Sequence, residues 1–546
     1  MKRRNAMPSL VLAGLASLTA PATAQFGAVG LSGVGSQRFA NEDLLFFEPQ
    51  PGDHFGVALA TGDFNGDGAD DLATGIPDDN GITGFEIDNA GAVVVRFGIP
   101  ASGLESGVAD ALLNQISGGS PDPAEVGDRF GAALAACDFN DDGFDDLAVA
   151  VPGESVNGAS AAGAIEVFFG SASGLVSAPV LLSQQTSGVP GDPETPDGFG
   201  SSLACGDFDG DTFADLAVGV PGEATDSFGR AGMVEIVYGS ATGLDAASSI
   251  ALDQDTSGMA GSAEMCDYFG HALAVGDFDS DGFADLAIGV PGEDNPSSCA
   301  ASVGRGAVQI VFGDTLGLMP NVNVLYTESD LGGAPENGDE MGAALAAGDF
   351  DGDLFDDLAI GVPREDVNSG GSVVDAGTVF AIYGRAGSPP FDPARTQIWF
   401  EDLIHYPGAS ETGDLFGFAL AAGDFDRDGR ADLAIGQPGE LQVVAQDGGV
   451  TVVMGSPTGI TAARRHGFAA GYYGEAGVAN QANRNYGFAL AAGDFDGDGF
   501  ADLGIGAPNE DEAGRANVGA VVALYGSLFS DGFEVQNAGF WSSVTP

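Results

Sequence analysis

The stretch Asp63-Phe64-Asn65-Gly66-Asp67-Gly68-Ala69-Asp70-Asp71-Leu72 decides the architecture, because it returns six more times along the 546-residue chain. The copies begin at Asp138, Asp207, Asp277, Asp349, Asp424 and Asp494, at steps of 69 to 75 residues. Each copy offers side-chain oxygens at loop positions 1, 3, 5 and 9 and a main-chain carbonyl at position 7. Calcium takes six to eight hard oxygens from a tightly curled chain, and alternate positions of such a loop point inward to supply them. Asp, Asn and Gly also build metal-free turns, but an ordinary turn has no need of four inward oxygens in every copy.

The expected ligands in the first repeat are Asp63, Asn65, Asp67, the Ala69 carbonyl and Asp71. In the second and third they are Asp138, Asn140, Asp142, Phe144 and Asp146, then Asp207, Asp209, Asp211, Phe213 and Asp215. The fourth and fifth supply Asp277, Asp279, Asp281, Phe283 and Asp285, then Asp349, Asp351, Asp353, Phe355 and Asp357. The last two supply Asp424, Asp426, Asp428, Arg430 and Asp432, then Asp494, Asp496, Asp498, Phe500 and Asp502. Up to seven calcium ions follow. Position 6 is Thr212 in repeat three and Leu354 in repeat five, where Gly is usual, so those two sites are expected to be weak or strained.

The flanks repeat too. Phe-Gly-x-Ala-Leu-Ala-x-Gly precedes each loop, Ala-Asp-Leu-Ala-Ile-Gly-Val-Pro follows it, and a run such as Gly306-Ala-Val-Gln-Ile-Val-Phe-Gly313 comes next. Short runs rich in Val, Ile and Phe, bounded by Gly and Pro, read as strands. A fourth segment, for example Ala178-Pro-Val-Leu-Leu-Ser-Gln, closes the unit, and no helix is required. Such a unit cannot bury both faces of its own sheet. Radial stacking solves this, and the expected fold is an all-β, seven-bladed β-propeller of four-stranded antiparallel blades. Repeat seven supplies three strands only, up to Tyr525. Its fourth is expected before repeat one, at Ser36–Phe46, so that the N-terminal strand completes the last blade and removes an open edge.

Lys2, Arg3 and Arg4, an apolar stretch from Met7 and Ala22-Thr-Ala24 read as a signal peptide over residues 1–24. The propeller spans 25–528, and 529–546 form a tail that could serve export or attachment. No later apolar run reaches the ~18 residues of a membrane span. The expected location is secreted or cell-surface, in a bacterium, as a monomer. Charge agrees: 80 acidic residues against 17 basic ones give −63, and Lys2 is the sole lysine. Nucleic-acid binding needs clustered basic residues and is disfavoured. Schiff-base chemistry and lysine-bearing phosphate loops are excluded from the mature chain.

These residues resemble the FG-GAP repeat of integrin alpha chains. The resemblance covers roughly residues 36 to 527 and implies a seven-bladed head with calcium loops between first and second strands. Literal Gly-Ala-Pro occurs only at Gly506-Ala507-Pro508, and repeat five begins Met341-Gly342. Integrin alpha chains continue into leg domains and a membrane helix, and the resemblance here covers the head alone. A phospholipase of the same family couples such a propeller to a zinc-binding catalytic domain, and no such domain is expected here.

No His-Glu-x-x-His or Gly-x-Ser-x-Gly occurs, and the histidines, His54, His271, His405 and His466, are scattered. The expected function is therefore a secreted adhesion or ligand-binding module for an extracellular protein or glycan. A hydrolase using the central pocket and a structural cell-surface component are the alternatives. Tyr406, Arg464, Arg465, Tyr472, Tyr473 and Arg484, beside Trp399, Phe400 and His405, form the candidate ligand cluster, on the face opposite the acidic loops. Aromatics with Arg are the usual binding anchors. Glu154, Glu223, Glu293, Glu365, Glu440 and Glu510 recur two residues after the second-strand proline, and a structural role is favoured for them. Cys266 and Cys299 fall at one end of one blade and are the expected disulfide. Cys137 and Cys205 sit one residue out of alignment on neighbouring first strands, where buried thiols are at least as well accommodated.

Overall fold

Repeats one to six fold as four-stranded antiparallel meanders, and repeat seven supplies three strands of a four-stranded blade. The computed structural model describes residues 32–526 apart from 41–48, 82–86, 105–109, 117–118, 177, 226–227, 295–303, 369–371, 388–389, 405–408, 442–446, 470–482 and 512–513. All described residues belong to the compact unit Val29–Leu528. Blade one is built from Leu59–Gly62, Asp71–Ile76, Ala92–Arg96 and Ala111–Leu113, hydrogen-bonded in that order. Blade six follows the same plan with Ala419–Gly423, Asp432–Gln437, Gly449–Met454 and Thr461–Ala469.

The second strands, such as Asp146–Val151 in blade two, are buried along their whole length. Their continuous apolar runs match that environment, because a central strand of a blade is covered on both faces by its neighbours. The core consequently lies between blades. Val93 and Val95 of blade one pack with Leu147 and Val149 of blade two. Leu72 and Val94 of blade one pack with Phe495 and Val521 of blade seven. First strands use Ala and Gly because they converge: a Cβ added at Gly62 would lie 3.1 Å from the Ala136 Cβ of the next blade.

The Gly-x-Pro signature has a similar cause. A Cβ on Gly75 would sit 2.0 Å from the carbonyl oxygen of Gly131, the glycine of the next repeat's Phe-Gly pair. Gly131 itself has φ +88°, which glycine adopts without steric cost. The two glycines of the repeat are thus the contact point of adjacent blades.

Blade seven contains Leu490–Gly493, Asp502–Ala507 and Ala520–Tyr525, and its fourth strand is Ser32–Ala40. Gln37 faces Ala523 and Ala40 faces Ala520 in antiparallel register. The strand starts four residues before the expected Ser36, and the later part of the expected segment lies outside the described residues. Helix is not wholly absent: Glu401–Ile404 forms one α-turn, and Glu328–Leu331 and Pro393–Arg395 form 3-10 turns.

Candidate metal centres at the blade loops

Blade three shows how the acidic loop is curled. Asp207 Oδ1 accepts hydrogen bonds from the N–H groups of Gly210 and Asp211 at 2.7 and 3.1 Å, and its Oδ2 accepts from Thr212 at 3.0 Å. Asp211 Oδ1 accepts from Phe213 N–H at 3.1 Å. The position-5 aspartate holds the position-7 N–H in the same way at Ala69, Phe144, Phe283, Phe355, Arg430 and Phe500. This wrapping brings one oxygen each of Asp207, Asp209 and Asp215 within 4.8 Å of one another, and likewise Asp277, Asp279 and Asp285.

The position-9 aspartate opens the second strand and has a second task. Asp215 Oδ2 accepts from Phe208 N–H and its Oδ1 from Gly239 N–H, both at 2.8 Å. It therefore ties the loop to the end of the third strand. The same pair of bonds recurs at Asp71, Asp146, Asp285, Asp357, Asp432 and Asp502. Burial pushes Asp71, Asp285, Asp357, Asp432 and Asp502 up to about 8, and Asp146 and Asp215 to about 7. A divalent ion beside such a carboxylate would reverse that shift.

The donor set fits calcium. All side-chain ligands are oxygens, and the buried position-3 atoms Asn140 Oδ1 and Asp279 Oδ1 accept no hydrogen bond. The expected strain is present as well: Thr212 and Leu354 have φ of +83° and +73°. The seven loops are not equivalent, however. In blade five Arg395 hydrogen-bonds to Asp351, and in blade six Arg464 pairs with Asp426 and lies 3.5 Å from Asp428. There a guanidinium already occupies the position-3 carboxylate, a feature the repeat pattern could not show because both arginines come from outside the loop.

The loops also join the blades. The position-8 N–H donates to the position-1 carbonyl of the preceding blade, as in Asp145 to Asp63, Ala214 to Asp138 and Ala284 to Asp207. Asp70 donates to Asp494 at 2.8 Å, so the last loop is bonded to the first.

The family model described as FG-GAP repeat matches residues 55–95, 130–168, 199–234, 269–311, 341–382, 416–453 and 486–524. The chain belongs to the FG-GAP repeat family. Integrin alpha-5 of Xenopus laevis is 31% identical over 242 residues, 44% of this chain and 20% of that protein. Integrin alpha-PS2 of Drosophila melanogaster is 30% identical over 247 residues, 45% of this chain and 16% of that protein. Phosphatidylinositol-glycan-specific phospholipase D of Mus musculus is 34% identical over 169 residues, 31% of this chain and 18% of that protein. The match thus spans a fifth or less of each relative's length.

Among the described residues, the three arginines of the expected ligand cluster do not share one surface of this FG-GAP propeller. Arg484 is 1% exposed and ion-paired, 3.6 Å from Asp447 and 3.7 Å from Glu510, so its guanidinium is not offered to a partner. Arg464 lies at the start of its strand, against the acidic loop and not on the opposite face. Arg465 bonds to the Ala462 carbonyl at 2.7 Å. Tyr406, Tyr472, Tyr473 and His405 lie outside the described residues. Trp399 and Phe400 stand at the end of the fourth strand of blade five, with Trp399 packed against an inter-blade core.

The reading of Cys137 and Cys205 as at least as well accommodated as buried thiols needs correction. Cys137 and Cys205 are bridged, with Cα atoms 6.4 Å apart. They end adjacent first strands, and the one-residue offset seen in sequence is absorbed across the inter-blade gap. Cys266 is disulfide-bonded too, and Cys299, its expected partner, lies outside the described residues. The sequence reading also passed over an aspartate two residues before six of the seven Phe-Gly-like starts, such as Asp128, Asp267 and Asp414, buried and bonded to the N–H three residues earlier. Its recurrence was available as a signal.

Proposed function

We propose that this FG-GAP propeller is an exported, calcium-stabilised binding or adhesion module whose partner is an extracellular protein or glycan. The observation that carries the calcium half is the convergence of carboxylate oxygens in the curled loops, with unsatisfied buried oxygens at position 3. Blades one, two, four and seven are the strong sites, since the loops of blades five and six hold an arginine and that of blade three is strained at Thr212. The basic and apolar N-terminal segment supports export, and two of the relatives are integrin alpha chains. Among the described residues no helix is long and apolar enough to cross a membrane.

With a Kd of ~0.1 mM per site and ~1 mM calcium, each occupied loop adds about 1.4 kcal/mol. Several together are comparable with the stability of a typical domain. Calorimetric calcium titration of the mature chain, with melting followed with and without chelator, tests the reading. Several bound ions and a large melting shift are expected; few ions and no shift refute it. Binding to a panel of extracellular proteins and glycans, in calcium, then tests the partner half, with Tyr472, Tyr473 and Arg465 as the side chains to change.

A further inference from the structure

The opposite end of each blade carries a second set of carboxylates. In blade six it consists of Glu401, which follows the fourth strand of blade five, Glu411 and Asp414 ahead of the first strand, and Glu440 after the second. One oxygen from each lies within 4.8 Å of all the others. Oxygens on opposite sides of a calcium ion are ~5 Å apart, given calcium–oxygen distances of 2.3–2.6 Å. Glu401, Asp414 and Glu440 are at most 1% exposed, and Asp414 Oδ1 accepts no hydrogen bond. In blade five Glu328, Asp339 and Glu365 converge in the same way, and the buried Glu328 Oε2 is likewise unsatisfied.

Blade seven shows what this position accommodates. There Arg484 replaces the aspartate two residues before the Phe-Gly-like Tyr486-Gly487, and its buried guanidinium stands between Asp447 and Glu510. The one repeat in which the aspartate is an arginine thus places a fixed positive charge among the remaining carboxylates. Blades two to four temper the site differently. Gln115, Gln184 and Gln254 stand where blades five and six have Glu328 and Glu401, and their amides donate to Glu154, Glu223 and Glu293 at 3.3, 2.7 and 2.6 Å.

We propose that Glu401, Glu411, Asp414 and Glu440 form a second calcium site in blade six, at the end opposite its acidic loop, with Glu328, Asp339 and Glu365 as the counterpart in blade five. The ion would clamp the connection entering the first strand to the end of the second strand and to the neighbouring blade. An all-carboxylate set selects a hard divalent cation over softer metals.

Trp399 stands two residues before Glu401 and so reports on this site. In the full mature chain carrying Trp541→Phe, stripped of metal and titrated with terbium, excitation of the remaining indole is expected to sensitise saturable terbium emission that calcium displaces. Glu401→Gln/Glu411→Gln should weaken that binding at least tenfold. The Glu401→Gln change alone, which copies blades two to four and preserves shape, should weaken it to a lesser degree. Asp424→Asn in the acidic loop of blade six should leave it unchanged. Absence of sensitised emission, equal emission from the Gln variants, or its loss in Asp424→Asn would overturn the proposal, the last by assigning the signal to the loop.

Discussion

Glu235 is a buried acid on the third strand of blade three, Met233–Tyr238, opposite Val218 and Ala251. It is 0% exposed and neither carboxyl oxygen accepts a hydrogen bond. Burial, with a smaller contribution from Glu223, raises its pKa from 4.5 to about 9. The folded chain therefore holds it neutral at pH values where the unfolded chain ionises it. The stabilising contribution is complete below the unfolded pKa and is lost as pH rises towards the folded one. Each unit costs about 1.4 kcal/mol, so between pH 5 and pH 8 the wild type loses roughly 4 kcal/mol through this side chain. Glu235→Gln keeps the shape of the neutral acid, and blade four already has Gln309 at the same register. In urea unfolding at saturating calcium, the variant should be more stable than wild type by roughly 3–5 kcal/mol at pH 8 and by about 1 kcal/mol or less at pH 5. An equal difference at both pH values, or a destabilised variant at pH 8, would refute the reasoning.

Leu354→Gly should raise stability by about 0.5–1 kcal/mol, because Leu354 has φ +73° and is 80% exposed, so strain is relieved and no burial is lost. A lowered melting temperature would count against it. Arg464→Ala frees Asp426 and should strengthen calcium binding at the loop of blade six about fivefold, read as an added or tighter class of sites by calorimetry. Tyr525→Phe removes the hydroxyl that accepts from Leu104 N–H at 2.9 Å and donates to Gln37 Oε1 at 2.7 Å. The unsatisfied N–H should cost about 1–3 kcal/mol in denaturant unfolding and loosen blade one from blade seven.

Local patterns were sufficient for the repeat, its strands and its candidate ligands, because each is specified within a few residues. Asp-x-Asp-x-Asp spacing sets the loop, and Pro and Gly bound strands whose length and composition suit sheet. Even the N-terminal fourth strand was legible, since a missing strand in repeat seven and a spare one before repeat one have a single economical solution. What the chain's one dimension could not show is which distant side chains meet. Arg395 and Arg464 enter acidic loops 44 and 38 residues away in sequence, and Arg484 turns inward where its neighbours in sequence suggested a surface. The Cys137–Cys205 bridge depends on the gap between two first strands, and the Glu401–Asp414–Glu440 cluster on the meeting of two blades. Those are properties of how the repeats pack around the ring, and charge placed by packing carries no signature in local spacing.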